Sequence, residues 1–203
     1  GGPAPPLRDA PYGVSTEAEA RQAVQELRSR NVDGYVKIWV DDRGGTVPKL
    51  PRALYAAAID EAHKNNLLTV THTFELADVK EILRAGIDGL AHPPWRSGAA
   101  VDEEVLGLFR ERPNVFVILT LWSTRNDIFG RRPSWMDDPL LHETFTSDEI
   151  AMLENPTVGD DAAAKWKAGV VPRGVMALKA AGVTFGLGDD TGATNGSFYF
   201  GFG

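Results

Sequence analysis

The 203-residue chain contains no cysteine, which excludes disulfide staples and thiolate metal sites. Proteins of reducing and oxidising compartments alike can do without cysteine, so the compartment stays open. Histidine is scarce: the four are His63, His72, His92 and His142. No run approaches the roughly 20 apolar residues that cross a bilayer, and the first residues show neither the basic start nor the apolar stretch of a signal peptide. No membrane partner is expected. Positive charge is in deficit as well, with 21 Lys and Arg against 28 Asp and Glu and a formal net charge of −7. The basic residues are scattered, and phosphate binding rests on clustered ones, so nucleic acid is excluded as a partner.

What is present points to an ordinary folded protein. Apolar residues make up 43% of the chain and charged residues 24%, enough for one sizeable domain over residues 1–203 with a real core. The chain opens on Gly1-Gly2-Pro3-Ala4-Pro5-Pro6 without a methionine and closes on a Gly- and Phe-rich tract from Gly196 to Gly203. Both ends read as those of a fragment of a longer protein.

Short β-branched or apolar runs alternate with amphipathic stretches, the pattern of a parallel sheet built by βαβ crossovers and hence of an α/β fold. Five strands are expected, over Tyr35 to Val40, Leu67 to His72, Gly89 to His92, Val115 to Leu121 and Thr184 to Gly188. Helices are expected from Glu17 to Arg30 behind a Thr16/Glu19 capping box, and from Arg52 to Asn65. A third follows the stripe Leu76, Val79, Ile82, Leu83 and ends at Gly86, and a fourth is capped by Asp102 and stopped by Pro113. From Trp122 to Asp161 the rhythm breaks on Pro133, Pro139 and Pro156. Only Ser147 to Asn155 reads as helical there, so the segment is expected to be a long functional loop, with Arg125, Arg131, Arg132, Trp122 and Trp135 as substrate-contact candidates. A last helix is expected from Asp161 to Ala181, kinked at Pro172.

Functional groups of parallel α/β folds gather at the carboxyl ends of the strands. Lys37 lies within the first strand, His72 and His92 close the second and third, and Asp190 follows the last. Taken singly each has a plain structural reading: a strand-end histidine satisfied in the core, a snorkelling lysine, a turn-capping aspartate with Asp189 as its rival. As a set they form a hard, N- and O-rich donor group suited to zinc or a similar divalent ion.

Five stretches in order resemble the amidohydrolase superfamily, in particular its imidazolonepropionase-like and prolidase-like branch. They are Val36-Lys37-Ile38, Ile59-Asp60-Glu61-Ala62-His63-Lys64, Val70-Thr71-His72, Ile82 through His92 with the text ILRAGIDGLAH, and Gly188-Asp189-Asp190-Thr191-Gly192. The resemblance implies a (β/α)8 barrel of which this chain holds strands four to eight, the C-terminal part of the catalytic domain. It implies that Lys37 is carbamylated and bridges two metal ions, that His72 and His92 bind one ion, and that Asp190 binds the other and moves the proton of the attacking water. Carbamylation needs a neutral amine, which a dry barrel interior favours. One or two ions, zinc first, are the implied cofactor. The implied reaction is cleavage of an amide-type C–N bond, peptide-like or cyclic, in a small-molecule substrate by metal-activated hydroxide.

Rival readings are a deaminase or esterase of the same superfamily, and a non-catalytic barrel fragment or binding module with a structural metal. Two departures stand out. The family's first-strand His-x-His pair is absent, in keeping with a missing N-terminal half, and Thr73-Phe74 follow His72 where small residues are common. His63 reads as a structural residue at a helix C-terminus, and His142 as an exposed loop residue. An open barrel exposes strand edges, so association with the missing half or as a homo-oligomer is expected.

Overall fold

Helix α1 (Glu17–Ser29) begins where Thr16 and Glu19 cap each other: the Glu19 amide donates to Thr16 Oγ1 at 3.2 Å, and the Thr16 amide donates to the Glu19 carboxylate at 3.2 Å. Its buried face, Ala20 and Val24, packs on α2 (Arg52–Lys64), which buries Leu54, Tyr55, Ala57, Ile59 and Ala62. Helix α3 (Leu76–Ala85) buries Leu76, Val79, Ile82 and Leu83 along one stripe. It stops at Gly86, whose φ of 104° is the left-handed conformation that glycine tolerates at a helix end. Asp102 caps α4 (Glu103–Glu111) by accepting from the Val105 amide at 3.0 Å, and Val105, Leu106 and Phe109 turn inward. Full burial of each such side chain contributes ~1.5–3 kcal/mol.

These helices alternate with strands β1 (Tyr35–Trp39), β2 (Leu68–His72), β3 (Gly89–Leu90), β4 (Phe116–Leu119) and β5 (Thr184–Leu187). The strands form one sheet in the order β1-β2-β3-β4-β5. The first three pairings are parallel, with Tyr35 opposite Leu68, Val70 opposite Gly89 and Gly89 opposite Phe116. Sequential order with a helix in each crossover is the layout of part of a (β/α)8 barrel wall, as the resemblance implies.

The computed structural model describes residues 12–42, 45–94, 101–120, 134–154 and 169–188. The chain divides into two compact units, residues 1–118 with 174–186, and residues 119–173 with 187–203. The second unit carries a 3₁₀ turn at Ser134–Asp137 and helices α5 (Pro139–Thr144) and α6 (Ser147–Glu154); α7 (Val170–Ala180) starts in it and ends in the first. Helix α5 corrects the expectation of a loop with a single helix. Asp138 accepts from the Leu140 amide at 2.9 Å and Pro139 occupies the first turn, where its missing N–H costs nothing. His142 sits on α5, exposed as expected, and its Nε2 donates to the Met136 carbonyl at 2.7 Å. Among the described residues no helix is long and apolar enough to cross a membrane.

On the outer surface of the first unit, ion pairs run from helix to helix. Arg52 of α2 pairs with Glu81 of α3, which also meets Arg84 at 2.6 Å. Arg84 pairs in turn with Glu104 of α4, while Lys80 reaches Glu104 and Asp102, each at 2.6 Å.

Candidate metal centre

Strand alternation sorts β1 into two faces. Val36 and Ile38 are buried on the helix-covered side, whereas Tyr35 and Lys37 are exposed on the other. Register then places Lys37 opposite Val70 and Trp39 opposite His72, so Lys37 and His72 share a face, two residues apart along neighbouring strands. Their Cα atoms are separated by about 8 Å on strand geometry. Lys37 itself is exposed.

His92 arrives by a different route. Leu90 pairs with Thr71, and an unbroken β3 would set Ala91 beside His72 and turn His92 to the far face. The strand instead ends at Leu90, a correction to the expected span Gly89 to His92. The Ala91 amide still donates to the Thr71 carbonyl at 2.8 Å, after which the chain bends and brings His92 back. His72 Nδ1 and His92 Nε2 come to lie 2.9 Å apart, with the rings nearly perpendicular at 86°.

Further groups among the described residues surround the pair. Asp41, just past the end of β1, places Oδ2 3.4 Å from His72 Nε2, and both side chains are only 12% exposed. Trp39 meets the His72 ring edge-on at 4.8 Å. Phe74 meets His72 edge-on at 4.7 Å and stacks on His92 at 4.9 Å. Thr73 is fully buried, and its Oγ1 has no hydrogen-bond partner among the described residues.

Two nitrogen ligands of a tetrahedral zinc ion, each about 2.0–2.1 Å from the metal, stand about 3.3–3.4 Å apart. The histidine pair, at 2.9 Å, is within about half an ångström of that spacing. Among the described residues no third His, Cys, Asp or Glu joins them. Asp190, and Asp189 beside it, lie outside the described residues, as do Trp122, Arg125, Arg131 and Arg132.

The remaining histidine belongs to the opposite end of the sheet. His63, in the last turn of α2, lies 2.8 Å from Asp88 Oδ2, which also accepts from the Thr69 amide at 2.8 Å and the Thr69 hydroxyl at 2.7 Å. Its structural reading fits that contact.

No family model matches the chain, and no curated protein matches it in sequence. Solved structures do match. A Xaa-Pro dipeptidase with bound methionine in the active site superimposes with a TM-score of 0.58 at 17% identity, over 97% of this chain and 46% of its own. Ochratoxinase of A. niger matches with a TM-score of 0.57 at 19% identity, over 88% and 36%. A prolidase complexed with N-methylphosphonate-L-proline matches with a TM-score of 0.55 at 21% identity, over 87% and 38%. The chain thus spans between a third and a half of the length of each of these structures. The matched structures are prolidases, amidohydrolases and an ochratoxinase, all of the amidohydrolase superfamily, and over the stretch it covers this chain has their fold.

Proposed function

We propose that the protein containing this chain is a metal-dependent hydrolase of amide-type C–N bonds, with His72 and His92 as two of its metal ligands. The observation that carries the reading is the 2.9 Å approach of His72 Nδ1 to His92 Nε2 at the carboxyl ends of two neighbouring parallel strands. When bound, a zinc-class ion supplies Lewis-acid polarisation of a substrate carbonyl and acidifies a water at neutral pH.

The chain's own groups do the rest. His72 and His92 hold the ion from adjacent strand ends, and Trp39 and Phe74 wall their rings with apolar surface that limits access of bulk water. Lys37 presents its amine on the face that bears His72, where in carbamylated form it would add an oxygen donor. Asp190 takes the proton of the attacking water and returns it to the leaving nitrogen. Dipeptides ending in proline head the list of substrates, because two of the matched structures are described as a prolidase and a Xaa-Pro dipeptidase.

The test measures bound zinc and hydrolysis on the same samples of wild type, His72→Ala and His92→Ala, against X-Pro dipeptides, N-acyl amino acids and small cyclic amides. Loss of both metal and turnover in each variant is expected, since removing a ligand weakens the hold on the ion. Undiminished metal in both variants would remove the site.

A further inference from the structure

A strand with a parallel neighbour on each side bonds to one through alternate residues and to the other through the residues between. In β2, Leu68 and His72 bond toward β1: the Leu68 amide donates to the Gly34 carbonyl at 2.9 Å, and the His72 carbonyl accepts from the Val40 amide at 2.8 Å. Thr69 and Thr71 bond toward β3, their carbonyls accepting from the Asp88 amide at 3.2 Å and the Ala91 amide at 2.8 Å. Strand β3 is two residues long and meets β2 at two register positions, so few backbone rungs hold together the two strands that lead to His72 and His92. A side chain adds to them. Asp88 Oδ2 accepts from the Thr69 amide at 2.8 Å and from the Thr69 hydroxyl at 2.7 Å, and it lies 2.8 Å from His63 Nε2 in the last turn of α2. One carboxylate oxygen thus ties the residue before β3 both to the start of β2 and to the helix that feeds β2.

We propose that Asp88 is a positioning residue of the candidate centre: from the opposite end of β2 and β3 it locks their register, and with it the spacing of His72 and His92. Thr69 stands three residues before His72 and Asp88 four before His92, so each histidine is carried on a short run of chain that starts at this clasp. The tolerance at the far end is small. Groups of a working site have to be held within about 0.5 Å, whereas a slip of one strand by a single residue is a shift of about 3.3 Å. Thr69 lies opposite Val36, on the helix-covered face, so the clasp acts along the strands from behind the sheet. The inference rests on the proposed function for what the two histidines bind. The clasp and its hold on the β2–β3 ladder belong to the metal-free chain.

The experiment combines amide hydrogen exchange of the metal-free full chain with zinc titration, for wild type, Asp88→Ala, Asp88→Asn and Thr69→Val. Two buried rungs serve as paired reporters: Ala91 to Thr71 between β2 and β3, and Val40 to His72 between β1 and β2. In Asp88→Ala the Ala91 amide should lose about tenfold more protection than the Val40 amide, the scale of one or two lost hydrogen bonds, because local opening of the β2–β3 ladder adds to the global unfolding that both amides share. Asp88→Asn keeps an oxygen acceptor for Thr69 and should fall between wild type and Asp88→Ala. Thr69→Val removes the hydroxyl alone, should show the same pattern in smaller degree, and carries the test if Asp88→Ala does not fold. Zinc affinity should fall in the same order, by about tenfold in Asp88→Ala, the lower end of what loss of a ligand's support costs. A merely structural Asp88 would lower both amides alike and leave the zinc affinity of the folded chain unchanged; either result overturns the proposal. If the Ala91 amide loosens as stated but wild type itself binds no zinc, the register clasp stands and the hydrolase reading fails.

Discussion

Gly89→Ala probes how tightly the sheet is built beneath the candidate centre. A Cβ at Gly89 would lie 2.4, 2.5 and 2.9 Å from Cζ, Cε2 and Cε1 of Phe116, whose ring lies across the glycine. Ordinary carbon contacts are about 3.5–4.0 Å, so a separation of roughly 1 Å must be found. The backbone cannot supply it readily, because β3 is paired on both sides, with Val70 and with Phe116. The ring has to swing instead, out of its rest position. Overpacking of this kind costs ~1–3 kcal/mol. Against that stands a gain of ~0.5–1 kcal/mol from replacing glycine by alanine within a strand. The net expectation for Gly89→Ala is a loss of up to about 2.5 kcal/mol, read from urea unfolding with an unchanged slope. Removing the ring should erase the clash, so Gly89→Ala/Phe116→Ala should be more stable than the sum of the single losses by ~1–3 kcal/mol. Additive losses within ~0.5 kcal/mol would show that the two residues are not in the contact described.

Three other outcomes are expected. Burial pushes the Asp88 carboxyl up, but hydrogen bonds from His63, the Thr69 hydroxyl and the Thr69 amide together outweigh it and hold the group below its ordinary 3.8. A depressed folded value stabilises above the unfolded one and is lost as pH falls through the folded one; acid titration of the urea midpoint should therefore show a fall below about 3.8 that is steeper in wild type than in Asp88→Asn, and parallel curves would refute it. On the proposed function, Asp190→Asn should lower kcat by about 10²–10⁴-fold, the range general acid–base catalysis contributes, and Asp189→Asn far less; the reverse order would assign the proton transfer to Asp189. The chain on its own should self-associate in light scattering, since β1 ends the strand order beside exposed Tyr35 and Leu68, and a strictly monomeric species would contradict this.

Local signals carried most of the fold. The β-branched runs and the glycine and aspartate at helix ends located α1, the crossover helices α2, α3 and α4, and all five strands to within two residues at each end, because those elements obey the alternation and capping rules that a sequence displays. Helix α5 was hidden among prolines, although Asp138-Pro139 is itself a start signal. His92 shows where period-two reasoning stops: alternation assigns it to the wrong face, and only the bend after Leu90, set by its approach to His72, restores it. Asp41 went unread for a different reason. Lys37 stands out as the polar residue inside an apolar strand, whereas the pair Asp41-Asp42 closes the run, and a contact 31 positions away has no local signature. Tertiary structure decides it.

The chain of ion pairs from Arg52 through Glu81, Arg84 and Glu104 to Lys80 and Asp102 has a consequence for heat and salt. Singly, exposed pairs contribute little, about 0–1 kcal/mol at 25 °C. Linked across three helices they constrain one another, and their dehydration cost shrinks on warming while the gain from burying apolar surface levels off. The outer helices of this unit are therefore held by a device whose share of the stability grows as temperature rises and fades as added electrolyte shortens the reach of each charge to about 3 Å at 1 M.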